Sequence, residues 1–399
     1  MCETKLYQHQ QELIERNPER IGIFWGTGTG KTLTAIKLAE RNLKECLVVC
    51  PKSLTENWNE EIRDKSSGTV AFNVISKERF KQHCHSLHKY KGIIIDEAHY
   101  FSGYTSQLHK SLIWFLAKHN PKYVWALTAT PYLSSSWNIY SLGKLLGHDW
   151  SWFAWKRRFF QDIRMGSRLV PVQRAGIERI IAEITNRIGV TARLEDLVDV
   201  PDQIFMREFF SLTSEQKRAI EGINDLEHIV KWTKTHQIIG GTLKGDGYSA
   251  DRFFKTEKLN RLLELCKENK KLVVVCRYNN EIEYISRNIK HKKVFIINGS
   301  TKDKHRIVKE ADRSAEAIVL VNAACSEGYN LPSFPIMIFY SYDFSLKNYI
   351  QLLGRIQRIN AVKKNIYMSL ICKGTIDEDV YKNVVEMKQD FHLEIYRKN

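Results

Sequence analysis

Short runs of apolar residues alternate with amphipathic segments along most of the chain. In its first part the apolar runs lie at residues 21–24, 46–50, 70–75, 92–95 and 123–127. A second series lies at residues 272–276, 294–297, 317–321, 336–340 and 366–372. Apolar runs of this length, separated by helix-like segments, are typical of buried parallel strands joined by helices. The pattern therefore predicts an α/β protein with two parallel sheets.

The length and the repeated layout predict two lobes. A chain of 399 residues is long enough for two domains that each bury a sizeable core. We expect the first lobe over residues 1–203 and the second over residues 204–399. From about residue 132 the first lobe is rich in Trp and Arg with helix-like patterning, which predicts a helical extension. The stretch GGTLKGDGYS, residues 240–249, predicts a flexible loop or hairpin tip in the second lobe.

The charge and the cysteines narrow the class of protein. There are 61 Lys and Arg residues against 45 Asp and Glu residues, a net charge of +16, which favours a polyanionic partner such as nucleic acid. The eight cysteines form no CxxC pair, so we expect reduced thiols and no disulfides. No apolar run approaches the roughly 18 residues that a membrane span needs. We expect a soluble, intracellular monomer.

The stretch FWGTGTGKT, which follows the first apolar run, indicates a phosphate-binding loop. Gly26, Gly28 and Gly30 allow backbone N–H groups to turn towards phosphate oxygens, and the next helix would present its positive N-terminus to the same anion. The usual pattern G-x-x-x-x-G-K-[ST] has glycine where this chain has Trp25. The alternative is a glycine-rich turn with a chance lysine.

The loop residues have distinct predicted roles. Lys31 would reach the β and γ phosphates of ATP, and Thr32 would ligate Mg²⁺. The residues expected to bind the nucleotide here are Gly26, Thr27, Gly28, Thr29, Gly30, Lys31 and Thr32.

Two further motifs end predicted strands. IIIDEAH places Asp96 to hold Mg²⁺ and Glu97 to orient and deprotonate the attacking water, while His99 would report the state of the γ phosphate. Incidental acids at a solvated strand end are the alternative. ALTATPY places Thr128 and Thr130 where they would couple the nucleotide site to the other lobe.

QLLGRIQRI, residues 351–359, carries two arginines three positions apart. We place Arg355 and Arg358 at the start of a helix, from which both would project towards one phosphate. The planar, permanently charged guanidinium group suits neutralisation of transition-state charge. The alternative is an exposed basic helix turn.

Taken together, these motifs and their order resemble the superfamily 2 helicase-type ATPases, most closely the SNF2 branch. LYQHQQ resembles the Q-motif region, which implies that Gln10 contacts adenine. GTGTGKT is similar to motif I, CLVVCPKSLTENW to motif Ia, DEAH to motif II and LTATP to motif III. In the second lobe, INGSTKDKHR resembles a family stretch ending in Arg306, SEGYNL resembles motif V, QLLGRIQRI resembles motif VI, and GTIDEDVYKNVVEMKQ resembles the closing tail.

The resemblance implies two RecA-like lobes of the P-loop class, with ATP and Mg²⁺ in the cleft between them. The implied catalytic residues are Lys31, Asp96, Glu97, Gln351, Arg355 and Arg358. Gly328 is implied as a further nucleotide contact. The implied nucleic-acid contacts are Pro51, Lys52, Arg277, Arg306 and Asn330.

The function implied is ATP-driven movement on duplex DNA, with remodelling of branched DNA by fork reversal or branch migration. One alternative is a strand-separating DNA or RNA helicase. Another, from a different class, is an ATP-gated nucleic-acid clamp with little turnover. The compact build suggests a phage or mobile-element protein.

Two weaker signals remain open. HCHSLH, residues 83–88, holds possible metal ligands, but no second ligand pair accompanies it, so we expect a solvated helix and no zinc. DWSWFAWKRRFF, residues 149–160, interleaves aromatic and basic residues. It would either stack bases and hold phosphates or pack a helical appendage onto the first lobe, and packing is favoured.

Overall fold

The computed structural model describes residues 6–133, 135–197, 201–223, 227–245, 250–357, 364–387, 393 and 395–396. Contacts divide the chain into two compact units, one made of residues 1–199 and 390–399 and the other of residues 200–389. The helices and strands of the first unit are α1 (Gln8–Arg16), β1 (Arg20–Trp25), α2 (Lys31–Asn42), β2 (Glu45–Cys50), α3 (Thr55–Lys65), β3 (Ala71–Ser76), α4 (Lys77–His83), β4 (Gly92–Asp96), α5 (Gln107–His119), β5 (Tyr123–Leu127), α6 (Ser136–Leu145), α7 (Trp152–Phe159), β6 (Phe160–Met165), β7 (Arg168–Gln173), α8 (Glu178–Ile188), β8 (Gly189–Ala192) and α9 (Leu194–Leu197).

The second unit has the same alternation. Its helices and strands are β9 (Gln203–Phe210), α10 (Ser214–Glu221), α11 (His228–Ile239), β10 (Thr242–Leu243), β11 (Arg252–Phe253), α12 (Glu257–Glu268), β12 (Lys271–Cys276), α13 (Asn279–Asn288), β13 (Val294–Ile297), α14 (Lys304–Arg313), β14 (Ala317–Asn322), β15 (Ile336–Phe339), α15 (Leu346–Ile356), β16 (Asn365–Cys372) and α16 (Ile376–Tyr381), followed by a π-helical segment, Lys382–Met387.

The first unit is built on a six-stranded parallel sheet in the order β3-β2-β4-β5-β1-β8. Successive residues of its strands enter opposite cores: Ile93 and Ile95 belong to one apolar cluster, and Ile94 to the other. Helices therefore cover both faces, as the continuous apolar runs predict. Because β5 alone separates β1 from β4, the ends of these three strands lie side by side at one edge.

The second unit has a six-stranded parallel sheet in the order β13-β14-β12-β15-β16-β9. Val273 and Val275 of its central strand β12 enter one core, and Leu272 and Val274 the other. The predicted fold class, α/β with two RecA-like parallel-sheet lobes, is confirmed. The ten predicted strands are present to within one residue at each end.

Three features differ from the sequence-based expectations. The predicted helical extension contains an antiparallel hairpin, β6–β7, and the short strand β8, which pairs with β1. The chain end does not stay with the second unit, because Ile395 and Tyr396 are buried in the first unit and the Tyr396 hydroxyl donates to the carbonyl oxygen of Ala129 at 2.9 Å. The predicted loop at residues 240–249 begins with β10, which pairs with β11, but residues 246–249 lie outside the described residues.

Candidate ATP-binding and catalytic site

The phosphate-binding loop connects the end of β1 to the start of α2, at the carboxyl edge of the first sheet. Gly28 and Gly30 have φ values of 78° and 82°, in the left-handed region that favours glycine. A Cβ on Gly30 would also lie 2.3 Å from Nε2 of Gln10. The turn therefore requires glycine at both positions, and at Gly30 the surrounding space requires it as well.

Trp25 fits the loop because it is the last residue of β1 and lies before the turn. Its side chain is buried, and its ring meets His9 edge to face at 4.7 Å. Its carbonyl oxygen accepts a hydrogen bond from the Lys31 ammonium group at 2.9 Å, and the carbonyl of Gly26 accepts another at 2.8 Å. The departure from the usual pattern thus leaves the lysine anchored at the loop.

Helix α1 supports the loop from outside. The Gln10 amide is buried, and its Nε2 donates to the carbonyl oxygen of Gly30 at 3.2 Å while its Oε1 accepts from the Tyr7 N–H at 2.9 Å. His9 Nε2 lies 3.0 Å from the carbonyl oxygen of Thr29. The adenine contact of Gln10 stays a prediction. His9 was missed, although it lies next to Gln10 in the quoted motif.

Asp96 ends β4 and is almost completely buried. Its Oδ2 accepts a hydrogen bond from the indole N–H of Trp58 at 2.7 Å, and its Oδ1 accepts one from the Glu97 N–H at 2.9 Å. Burial raises the pKa of Asp96 to about 7, the Glu97 charge adds to this, and Trp58 and Lys31 oppose it. Trp58 was missed as a site residue, because only the fold shows that α3 directs this indole towards the end of β4.

Glu97 and three other predicted residues come together beside Asp96. Glu97 has φ 49°, a left-handed conformation that costs a residue with a side chain about 1–2 kcal/mol. His99 Nδ1 lies 3.1 Å from Glu97 Oε2, 3.0 Å from the Thr128 hydroxyl and 3.3 Å from the Thr130 hydroxyl. The structure therefore places one histidine nitrogen between the DEAH motif and the two threonines.

In the second unit, Arg355 joins helix α15 to the loop that follows β14. Its guanidinium group donates to the carbonyl oxygens of Tyr329 at 2.8 Å and Gln351 at 3.1 Å. Gln351 is buried, and its Oε1 accepts from the Ser326 hydroxyl at 2.9 Å. Gly328, in the same loop, has φ 85°. These contacts bring motifs V and VI together.

Our placement of Arg355 at a helix start is wrong. Helix α15 begins at Leu346, where the side chain of Ser345 caps it by accepting from the Asn348 N–H, and it ends at Ile356. Arg355 therefore lies in the last turn, where a cation complements the helix dipole. The predicted Arg358 lies outside the described residues.

The predicted nucleic-acid contacts lie at scattered points. Pro51 and Lys52 follow the end of β2, and Arg277 follows the end of β12 with its guanidinium carbon 4.2 Å from the ring centre of Phe344. Arg306 is an exposed residue of α14. Asn330 is exposed, and its Oδ1 lies 3.4 Å from Arg355 Nη1. Their roles stay predictions.

In the HCHSLH segment, Cys84 is buried and His85 packs on Trp114 with ring centres 3.9 Å apart. Within the described ranges, no cluster of three or more His, Cys, Asp or Glu residues is arranged to hold a metal ion. The described helices are also all too short or too polar to span a membrane.

Comparison with known proteins agrees with this site. Residues 3–89 match the family model "Type III restriction enzyme, res subunit", and residues 255–360 match "Helicase conserved C-terminal domain". These two matches support the prediction of a superfamily 2 helicase-type ATPase. The predicted enzyme class, a nucleic-acid-dependent ATPase, is thereby confirmed, and so is the use of ATP.

No curated protein matches this chain significantly. Among solved structures, it is similar to the "Sulfolobus solfataricus SWI2/SNF2 ATPase core in complex with dsDNA", with 22% identity, 99% of this chain and 93% of that chain covered, and a TM-score of 0.45. This similarity is too low to support an argument about function. Placement in the SNF2 branch stays a prediction from the motifs.

Proposed function

We propose that this ATPase is an SNF2-type translocase that moves along duplex DNA and remodels branched DNA. The observation that carries the proposal is the grouping of Lys31, Asp96, Glu97 and His99 at one edge of the first sheet. A lysine at a phosphate-binding loop beside two adjacent carboxylates suits hydrolysis of a phosphoanhydride. Movement on DNA is the use of that hydrolysis that the motif order favours.

The residues present fit ATP and Mg²⁺. The loop at residues 26–30 has the two left-handed glycines that let backbone N–H groups converge on an anion, and α2 begins directly after it. Asp96 and Thr32 provide oxygen ligands of the kind that Mg²⁺ prefers. A bound Mg²⁺ would neutralise charge on the phosphates, while Glu97 would hold and deprotonate the attacking water.

The choice of DNA as the track rests on charge and on the motifs. A net charge of +16 suits many contacts to phosphates, which carry no sequence information. Binding should therefore weaken steeply with salt and depend little on base sequence.

A strand-separating helicase is the second candidate, and one observation favours it. Hairpin β6–β7 carries exposed apolar side chains near its turn, with Met165 64% and Leu169 67% exposed. Apolar side chains of this kind can enter between base steps and unstack them. The hairpin could thus take part in opening a duplex.

The deciding experiment compares DNA cofactors of the ATPase. Covalently closed circular duplex and single-stranded DNA are supplied at equal nucleotide concentration, low salt and saturating ATP. A duplex translocase needs no strand end, so closed circular duplex should stimulate hydrolysis. The enzyme should also displace the third strand of a triplex and rearrange four-way junctions.

The opposite pattern rejects the proposal. If only single strands stimulate hydrolysis, and tailed duplexes are unwound while triplexes and junctions are left intact, the protein is a strand-separating helicase. If DNA binding depends on ATP but no cofactor stimulates turnover, it is an ATP-gated clamp. RNA cofactors in the same assay decide between DNA and RNA.

A further inference from the structure

Helix α7 and the β6–β7 hairpin enclose an open groove of about 670 Å³ in the first unit. We call it the α7–hairpin groove. Its lining includes Phe153, Lys156, Arg157, Asp162 and Arg174. None of them belongs to the ATP site described above, so the groove requires its own explanation.

The two faces of α7 have different environments. Trp155 and Phe159 are buried, and stack against the aromatic cluster of the first unit. Phe153, on the groove side, is 78% exposed, and Arg157, which lines the same groove, is also exposed. Packing onto the first lobe, which the sequence favoured for this segment, therefore accounts for one face of the helix only. The groove side presents the aromatic ring of Phe153 and the guanidinium group of Arg157 to solvent.

The groove and the hairpin are strongly positive. Asp162, the acidic residue of the lining, is paired with Lys156 at 3.1 Å. Four exposed arginines of the groove and the hairpin form no ion pair with any described residue: Arg157, Arg164, Arg168 and Arg174. Guanidinium groups bind phosphates through paired hydrogen bonds. This excess of positive charge complements a polyanion.

The exposed apolar groups make the choice of polyanion more specific. Phe153 lies in the groove, while Met165 and Leu169 flank the hairpin turn, where Gly166 has φ 63°. Within a duplex the base faces are hidden, whereas an unpaired strand offers them for stacking on aromatic and apolar side chains. Arginines for the phosphates and apolar groups for the bases together match a strand with unpaired bases.

We propose that the α7–hairpin groove binds a single nucleic-acid strand with unpaired bases, such as the strand exposed at a fork or junction. The inference rests on the proposed function in that it assumes a DNA substrate, but it adds a contact that none of the family motifs contains. It assigns Phe153 to base stacking and Arg157 and Arg174 to phosphate binding.

The test measures binding of a fluorescent oligothymidylate by anisotropy, without ATP, over a series of salt concentrations. Phe153→Ala should weaken binding by roughly 5- to 100-fold, and Phe153→Trp should retain it, since stacking on one aromatic ring contributes that much per base. Arg157→Gln combined with Arg174→Gln should lower the slope of log affinity against log salt by about 1.4, which is 0.7 for each lost phosphate contact.

Lys89→Gln combined with Lys91→Gln is the matched control. Both lysines are exposed in the first unit, form no ion pair with a described residue, and lie before β4, at the opposite edge of the sheet from the phosphate-binding loop. This variant should keep the wild-type affinity and salt slope. Near-wild-type binding by the groove variants, or an equal loss in the control, would overturn the inference.

The outcomes separate this inference from the proposed function. If closed circular duplex stimulates the wild-type ATPase but the groove variants bind oligothymidylate normally, only the groove assignment fails. If wild-type protein binds no nucleic acid, both fail. If fluorescent polyglutamate binds wild type but not the Phe153→Ala variant, while the oligothymidylate binds both equally, the groove binds an acidic polypeptide and the assignment to nucleic acid is wrong.

Discussion

Replacing Trp58 with phenylalanine should weaken Mg²⁺ binding at Asp96 beyond any effect on the stability of the fold. The indole N–H donates to Asp96 Oδ2 at 2.7 Å, and both side chains are buried. A hydrogen bond to a charged acceptor contributes about 1.5–3 kcal/mol. Because it favours the ionised carboxylate, its loss should raise the pKa of Asp96, already about 7, by roughly one to two units.

The expected effect is a greater need for Mg²⁺ that depends on pH. A metal binds the carboxylate and must displace a proton from the acid. At neutral pH the Trp58→Phe variant should therefore need about 5- to 50-fold more Mg²⁺ for half-maximal ATP hydrolysis, since the ionised fraction of Asp96 would fall from about one half to roughly 1–9%. Well above the raised pKa, where Asp96 is ionised in both proteins, the difference should shrink. The assay is steady-state ATPase against Mg²⁺ concentration at neutral and alkaline pH.

Trp125→Phe is the control for packing. Trp125 lies in the same apolar cluster, is fully buried, and donates its indole N–H to the carbonyl oxygen of Pro18 at 2.9 Å. In both variants a smaller phenyl ring replaces a buried indole and one hydrogen bond is lost, so both should have a lower free energy of unfolding. The reasoning is refuted if Trp58→Phe leaves the Mg²⁺ requirement unchanged, or if Trp125→Phe changes it equally.

The other predictions concern three further sites. Lys31→Ala and Glu97→Gln should both abolish turnover, but only Lys31→Ala should strongly weaken binding of a fluorescent nucleotide, because Glu97 acts on water. Gly30→Ala should lose nucleotide binding in the same assay, since its φ is +82° and the new Cβ would meet Gln10; full binding would contradict the assigned loop geometry. Burial raises the pKa of Glu281 from 4.5 to about 7, so this group stabilises the fold most below pH 4.5 and loses about 3 kcal/mol of that contribution as the pH rises through 7. Urea unfolding of wild type and Glu281→Gln should be measured across this pH range. The difference between their free energies of unfolding should change by about 3 kcal/mol, and a constant difference would mean that the pKa of Glu281 is not shifted.

The sequence predicted the sheets well, because each central strand is buried on both faces and is therefore a continuous apolar run. Strand β4, Gly92–Asp96, is an example, with all five residues buried. Short-range signals of this kind need no knowledge of the rest of the chain. The same holds for the phosphate-binding loop, where glycine spacing alone predicts the turn.

The hairpin and the edge strand were missed for a physical reason. Residues of β6 and β7 are exposed on both faces of the hairpin, so they carry no alternation of buried and solvated positions. Strand β8 has only four residues, Gly189–Ala192, too few to give a pattern. Yet the carbonyl oxygen of Ala192 accepts a hydrogen bond from Gly26 N–H at 2.8 Å, so this strand holds the start of the phosphate-binding loop. Strand β8 holds the loop only because it pairs with β1, and pairing between segments so far apart in the sequence cannot be predicted from a local pattern.

The coupling residues show how far motif spacing can be turned into chemistry. The motifs predicted a shared coupling role for His99, Thr128 and Thr130. His99 follows β4, whereas both threonines follow β5. In the fold, His99 Nδ1 lies within 3.3 Å of both hydroxyls and of Glu97 Oε2. A ring nitrogen carries at most one proton, so it can donate to only one of these oxygens at a time. We therefore expect a change in the charge or hydrogen bonding of Glu97 to alter which of the three oxygens the ring nitrogen bonds to. These distances fit the predicted coupling, in which His99 would pass the state of Glu97 to Thr128 and Thr130, and that coupling stays a prediction.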